Sequence, residues 1–225
     1  MPVELLALAV RDLRLPPGAG LAVLPLTAAT GIALPARIRA SAPRRQASFT
    51  AGRLAAREAL RRAGLVDAQA PGMGADGLPI WPVGWLGSIS HSGSVAAAIA
   101  APAGAARLLG LDVERLVTPA AASRLAPDVM PELPPGQSGL PLQEQVTRVF
   151  SAKEALFKAL YPITRQMRGF SAAHADWRQD SPDMPIRLTL TEDWGPDWPA
   201  GTRFEAFQRV VAGHVISILW GCLGR

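Results

Sequence analysis

Lysine is almost absent from this sequence. Of 23 basic side chains in 225 residues only two are lysines, Lys153 and Lys158, and both lie in Phe150-Ser151-Ala152-Lys153-Glu154-Ala155-Leu156-Phe157-Lys158. Arginine serves everywhere else, so these two positions ask for more than charge: a compact ammonium on a flexible stem rather than a planar fork. The single cysteine, Cys222, excludes an internal disulfide and fits a reducing compartment. Long apolar runs are missing too. Leu15 to Ala36 and Gly77 to Ala106 carry no Asp, Glu, Lys or Arg, but proline and glycine interrupt both. Neither fits a spanning helix. Met1-Pro2-Val3-Glu4 lacks the basic segment of a secretory signal. The expectation is a soluble cytoplasmic protein with no membrane partner.

Aromatics are scarce where nucleic-acid binding would need them. Residues 1–65 hold ten Arg against three acids, a net +7, while residues 66–225 are net −2. The basic patch, Arg37 to Arg62, suits a polyanion or a phosphate-rich small molecule. It contains one aromatic, Phe49, which is thin for base stacking.

Taken in order, residues 3–10 and 21–26 read as short buried strands around a Pro-Gly turn. A helix is expected from Ser48 or Thr50, as N-cap, to a stop at Gly64. On it Arg53 and Arg57 project together, with Arg44 and Arg45 just before; such arginines serve equally to solvate an outer face. Gly87 to Ser92, holding Ser90 and His91, reads as a small polar turn leading into VAAAIAA, a strand or a buried helix. There His91 is either a phosphate-binding histidine or a structural one. His174 and His214 are read as structural.

Residues 108–114, LLGLDVE, alternate: Leu109, Leu111 and Val113 on one face of a strand, Gly110, Asp112 and Glu114 on the other. Two carboxylates pointing one way repel, and a hard cation with oxygen ligands relieves this. A solvated edge-strand face is the alternative. Residues 115–145 read as a Pro-rich surface excursion with one short helix. A helix follows from about Gln143 to Pro162, with Glu154 and Lys158 four apart on one face. That cluster reads as a phosphate or metal–phosphate site, or as an ordinary surface ion pair. The tail offers strands at Ile186–Thr191 and Val210–Leu219. These patterns alone support mixed α/β.

GRLAAREAL (52–60), LPIWPVGWLGSISHSGSVAAAIAA (78–101), GLDVERL (110–116) and FSAKEALFKALYP (150–162) together resemble the 4′-phosphopantetheinyl transferases of the Sfp type, most closely the enterobactin synthetase component D (EntD) branch. Gly-x-Asp-x-Glu alone is weak; with Ser-His before it and Phe-Ser-x-Lys-Glu-x-x-x-Lys after it, the pattern is specific. The resemblance covers about residues 44–162. It implies a holo-[acyl-carrier-protein] synthase that moves phosphopantetheine from coenzyme A to a serine of an apo acyl, peptidyl or aryl carrier protein, releasing 3′,5′-ADP. It further implies Mg²⁺ held by Asp112, Glu114 and Glu154, with Glu154 as base, directly or through water. Lys158 would neutralise the phosphate under attack, with Lys153 nearby, and His91 with Ser90 would bind a phosphate. Arg45 and Arg53 would grip the 3′-phosphate, with Arg57 a weaker candidate.

The implied fold is two similar α/β halves about a pseudo-two-fold, with the active site between them and a division at 1–112 and 113–225. Such a monomer needs no partner to complete its cleft. The branch leans toward secondary-metabolite or siderophore assembly. Asp76 stands where the family often carries a basic residue, Phe150 stands where many relatives have Trp, and the match loosens beyond Pro162. Three other readings compete: an arginine-rich nucleic-acid-binding module, a catalytically silent carrier-docking relative, and an Mg²⁺-dependent phosphohydrolase.

Overall fold

The computed structural model describes residues 2–28, 31–132, 139–177 and 186–221. The one cysteine and part of the 115–145 excursion lie outside the described residues.

The chain opens as a helix, α1 (Pro2–Ala9), where a strand was expected. Its apolar run has no clear period, but it is built from Leu, Ala and Glu, good helix formers, and only its ends are β-branched. β1 (Gly20–Pro25) agrees with expectation. A short α2 (Ala36–Arg39) precedes α3 (Pro43–Arg62), which starts earlier than expected because Pro43 sits in its first turn. Ser48 and Thr50 are therefore interior, each bonding the carbonyl four residues back, Arg44 and Gln46. β2 (Gly72–Met73) and β3 (Pro79–Ile80) form a small ribbon. The Ser-His segment is not a turn: it is strand β4 (Trp85–Ser92), hairpinned onto β5 (Val95–Pro102).

The carboxylate strand is β6 (Leu108–Arg115), as its alternation predicts. α4 (Pro119–Val129), capped by Thr118, is the short helix of the excursion. α5 (Leu142–Thr164) is the long helix; Pro162 lies inside its last turn, and Arg165 ends it at φ 57°. β7 (Ala173–Trp177) was not foreseen. β8 (Ile186–Leu190) was. The expected single strand over 210–219 is instead β9 (Arg203–Val211) and β10 (His214–Gly221), joined through Ala212 and Gly213. Both have positive φ, 50° and 72°, as a two-residue hairpin of matching twist requires.

Two antiparallel sheets result, β1-β5-β4 and β6-β10-β9-β8-β7. α3 lies on the first through alanines (Ala22, Ala55, Ala56, Ala59, Ala98, Ala100), and α5 lies on the second through Ala152, Ala155 and Leu156. The other faces meet in a common core of Val23, Ile99, Leu109, Leu111, Val113, Ile216 and Ile218, closed at one end by Leu6 of α1 and Val10 just after it. Each half is thus a long helix on an antiparallel sheet, an α/β arrangement. No helix among the described residues is long and apolar enough to cross a membrane.

The sheets meet along two edge strands, β4 and β6, without a backbone ladder between them. Serines at every second position of β4 take its place. Ser88 Oγ accepts from Leu111 N at 3.0 Å, Ser90 Oγ donates to Asp112 Oδ1 at 2.8 Å, and Ser92 Oγ donates to Glu114 Oε2 at 2.7 Å and accepts from Arg115 N at 3.1 Å. Alternation aims all three at β6.

α5 reaches β6 closely only because position 110 has no side chain: a Cβ there would overlap the Ala155 carbonyl oxygen. Gly110→Ala is therefore expected to cost about 2 kcal/mol or more in urea unfolding. Gly104→Ala, in open space, is expected to change stability by less than about 0.5 kcal/mol. Equal midpoints for the two variants would refute the close approach.

Candidate functional site

Asp112 is the centre of the site. Fully buried at 0% exposure, it places Oδ1 against Ser90 Oγ at 2.8 Å and Lys158 Nζ at 2.5 Å. Lys158 Nζ also donates to Ser90 Oγ at 2.9 Å. The other oxygen, Oδ2, is buried and has no hydrogen-bond partner among the described residues. An orphaned carboxylate oxygen is costly, and a cation or a donor brought by a ligand offsets that cost.

Glu114, two residues along and on the same face, is half-buried and bonded to Ser92. Burial, then the Asp112 charge, pushes its pKa up to about 7, with Glu154 adding to the rise. Glu154 is likewise raised, by burial first and then by Asp112, with Lys158 opposing. The alternative reading of Glu154 and Lys158 as a surface ion pair does not hold; Lys158 pairs with Asp112 instead. The three carboxylates feel one another, yet among the described residues no group of three His, Cys, Asp or Glu side chains is closed around a common point. The donor set still suits a hard cation: all oxygens, repelling one another, one of them buried and unsatisfied.

Lys153 is not part of this group. It is buried against Glu132 Oε1 and the Phe170 carbonyl, both at 3.0 Å, and burial lowers its pKa. The reason is helical geometry: five residues separate the two lysines, about 140° around the axis, so they cannot share a face. Lys153 ties α5 to the segment before β7.

On the other face of β4, His91 joins Arg37, Arg45, Arg53 and Phe49 around a cleft. Arg53 is 6% exposed, its Nε is buried without a hydrogen-bond partner among the described residues, and its guanidinium sits 4.5 Å over the Phe49 ring. Burial lowers its pKa to about 10, and no carboxylate among the described residues pairs with it. Such a cation is poised for an anion. Arg57, one turn on, is exposed and does not wall the cleft. Arg37 does, its guanidinium lying where a side chain on Gly77 would go. The sequence marked Arg37 only as the edge of the basic patch; its chain distance from the motifs hid this role. Asp76, beside Gly77, is paired with Arg165 at 2.5 Å, which holds its carboxyl below the usual range after the Leu78 N–H bond.

His91 reaches solvent but stands in crowded surroundings. Desolvation first, then Lys158 and Arg45, lower its pKa. It is thus within electrostatic range of both groups, and the edge of β4 separates them. Lys158 also borders an apolar cavity of about 300 Å³ walled by Trp81, Leu86, Leu108, Phe157 and Tyr161. His214, buried with Nδ1 at 3.0 Å from the Ala212 carbonyl, and His174, exposed on β7, stand apart from these groups.

Known proteins are similar to this chain in sequence. The family model described as the 4′-phosphopantetheinyl transferase N-terminal domain matches residues 34–101, and that of the 4′-phosphopantetheinyl transferase superfamily matches residues 108–201. Enterobactin synthase component D of Salmonella typhimurium is 37% identical over 140 residues, 61% of this chain and 57% of that protein. The 4′-phosphopantetheinyl transferase PptT of Mycobacterium tuberculosis is 31% identical over 156 residues, 64% of this chain and 63% of that protein. The transferase Svp of Streptomyces mobaraensis is 33% identical over 187 residues, 80% of this chain and 72% of that protein. The matched stretch thus spans a little over half of the first of these relatives and most of the last.

A buried, unpaired guanidinium contributes little to stability. Arg53→Met is therefore expected to leave the melting temperature unchanged or higher. It should also remove most of the stabilisation that inorganic pyrophosphate gives the wild-type chain. A clear drop in melting temperature with the pyrophosphate effect intact would make Arg53 a structural strut.

Proposed function

The chain belongs to the 4′-phosphopantetheinyl transferase superfamily, and from that premise we propose that it transfers 4′-phosphopantetheine from coenzyme A to a serine hydroxyl of an apo carrier protein. One observation carries the reading. On one side of the β4 edge lies a buried guanidinium whose Nε has no hydrogen-bond partner among the described residues, and on the other a buried carboxylate oxygen without one. A single ligand that satisfies both has several phosphates and a bound cation, as coenzyme A with a divalent metal does.

In this reading the 3′-phosphate enters the arginine cleft, held by Arg45 and Arg53, with Arg37 added to the set. The diphosphate crosses the strand edge at His91, and its charge is met by Lys158. The apolar cavity beyond Lys158 gives the pantetheine arm room. Asp112, Glu114 and Glu154 would hold Mg²⁺, which neutralises charge on the diphosphate. The carrier serine oxygen forms a bond to the phosphorus bearing the pantetheine arm, and the bond from that phosphorus to the bridging oxygen breaks, releasing 3′,5′-ADP. The serine proton goes to Glu154, directly or through water. Ser90 acts by holding Asp112 and Lys158 rather than by touching coenzyme A.

We assign the halves as 1–112 and 113–225, acting as one cytoplasmic monomer. Carriers of siderophore or other secondary-metabolite assembly are the proposed acceptors, because enterobactin synthase component D is among the similar proteins.

Intact-mass spectrometry of an apo peptidyl carrier protein incubated with the chain, coenzyme A and Mg²⁺ should show the gain of one phosphopantetheine group, lost with EDTA. Asp112→Ala, Glu114→Ala and Glu154→Ala should each slow transfer about 100-fold or more. Near-full transfer by all three would remove the metal assignment. Arg53→Ala should lose more activity with coenzyme A than with 3′-dephospho-coenzyme A; equal losses would detach it from the 3′-phosphate.

A further inference from the structure

Behind the carboxylates a polar row crosses an otherwise mostly apolar sheet face. Asp112 on β6 pairs with Ser217 on β10, and Ser217 with Gln208 on β9, so the three side chains stand at one level on one face. The next level on one side is Gly110, Leu219 and Ala206; on the other side it is Glu114, Val215 and Val210. α5 crosses this face and completes the row. Arg148 Nε donates to Gln208 Oε1 at 2.9 Å, and Gln208 Nε2 donates to the Arg148 carbonyl at 2.8 Å and to Ser217 Oγ at 2.7 Å. Ser217 Oγ then donates to Ser151 Oγ at 2.8 Å. Exposures are 6% for Arg148, 2% for Gln208 and 0% for both serines. Glu144, 3.6 Å away, and the Trp177 ring, 5.1 Å away, hold the outer end of Arg148.

Stability does not account for this row, because apolar side chains of similar volume in its place are commonly as stable or more so. Register does. The neighbouring contacts of α5 on the sheet come from Ala152, Ala155, Leu156 and Ala159, apolar and non-directional. Hydrogen bonds are lost within a few tenths of an ångström beyond about 3.2 Å. A slide by one helical residue is about 1.5 Å, enough to break the row and to withdraw Lys158 from Asp112.

We infer that Ser151, Ser217, Gln208 and Arg148 are positioning residues that lock α5 against β6, so that Glu154 and Lys158 meet Asp112 and Glu114. They act through the helix and touch no reacting atom. The inference rests on the reading of the three carboxylates as a cation site.

Ser151→Ala with Ser217→Ala removes the Ser217–Ser151 bond and the bond from Gln208 Nε2 to Ser217, and leaves Gln208 its two bonds to Arg148. Mn²⁺ alone is titrated into the full chain and followed by electron paramagnetic resonance, with melting temperatures alongside, in wild-type and Glu154→Gln backgrounds. Mn²⁺ affinity is expected to fall about tenfold with the melting temperature little changed. In the Glu154→Gln background the fall should be much smaller, since the ligand that the row positions is already gone. Unchanged affinity, or the same loss in both backgrounds, overturns the inference. If the double variant melts early, the single Ser217→Ala gives the same comparison. Neither coenzyme A nor carrier enters the titration. A chain that binds Mn²⁺ but leaves carriers unmodified therefore overturns the transferase reading and leaves this one standing.

Discussion

A carboxylate with no access to water has to be surrounded by donors, and Asp112 organises the middle of this protein by that requirement. At 0% exposure it draws a serine from one sheet and a lysine from the opposite helix onto one oxygen. β4, β6 and α5 come from distant parts of the chain, and this contact is where they coincide. The second oxygen has no hydrogen-bond partner among the described residues. Desolvation makes that vacancy expensive, so a cationic or hydrogen-bonding ligand gains most by filling it.

The use of arginine and lysine follows the same logic. Arg53 stands over the Phe49 ring and offers a planar fork to an anion, a geometry that an ammonium does not offer. Lys158 must pass a helix border and reach both Ser90 and Asp112 with one atom, which suits a flexible stem ending in a point charge. The buried Lys153 fills a structural pocket, bonding Glu132 and a backbone carbonyl together. Rarity in the sequence marked both lysines but could not separate these roles.

The seam between the sheets explains how two halves share one site. Edge strands ordinarily carry unpaired backbone groups that invite association. Here Ser88 and Ser92 accept two of those N–H groups, and Ser90 is free to serve the buried carboxylate. The seam is therefore both a joint and a positioning device, and Gly110 allows α5 to close over it.

Much of this was legible in the letters, and the failures have physical reasons. LLGLDVE revealed strand, faces and carboxylates because period-2 alternation is unambiguous over seven residues. The opening helix was mistaken because a run that is apolar on every side has no period to read. β9 was missed because RFEAFQRVV mixes charged and apolar residues on an edge-like face, though Phe204, Ala206 and Gln208 do alternate inward. The sequence by itself singled out the candidate residues for the chemistry: the joint spacing of Ser-His, Asp-x-Glu and Lys-Glu-x-x-x-Lys is local and dense in information. Only the tertiary structure decided which of them meet. Whether Lys153 or Lys158 faces the carboxylates, whether Arg37 or Arg57 walls the cleft, and what stands behind Asp112 depend on helix phase and on packing between segments far apart in the chain. A linear pattern does not encode those distances.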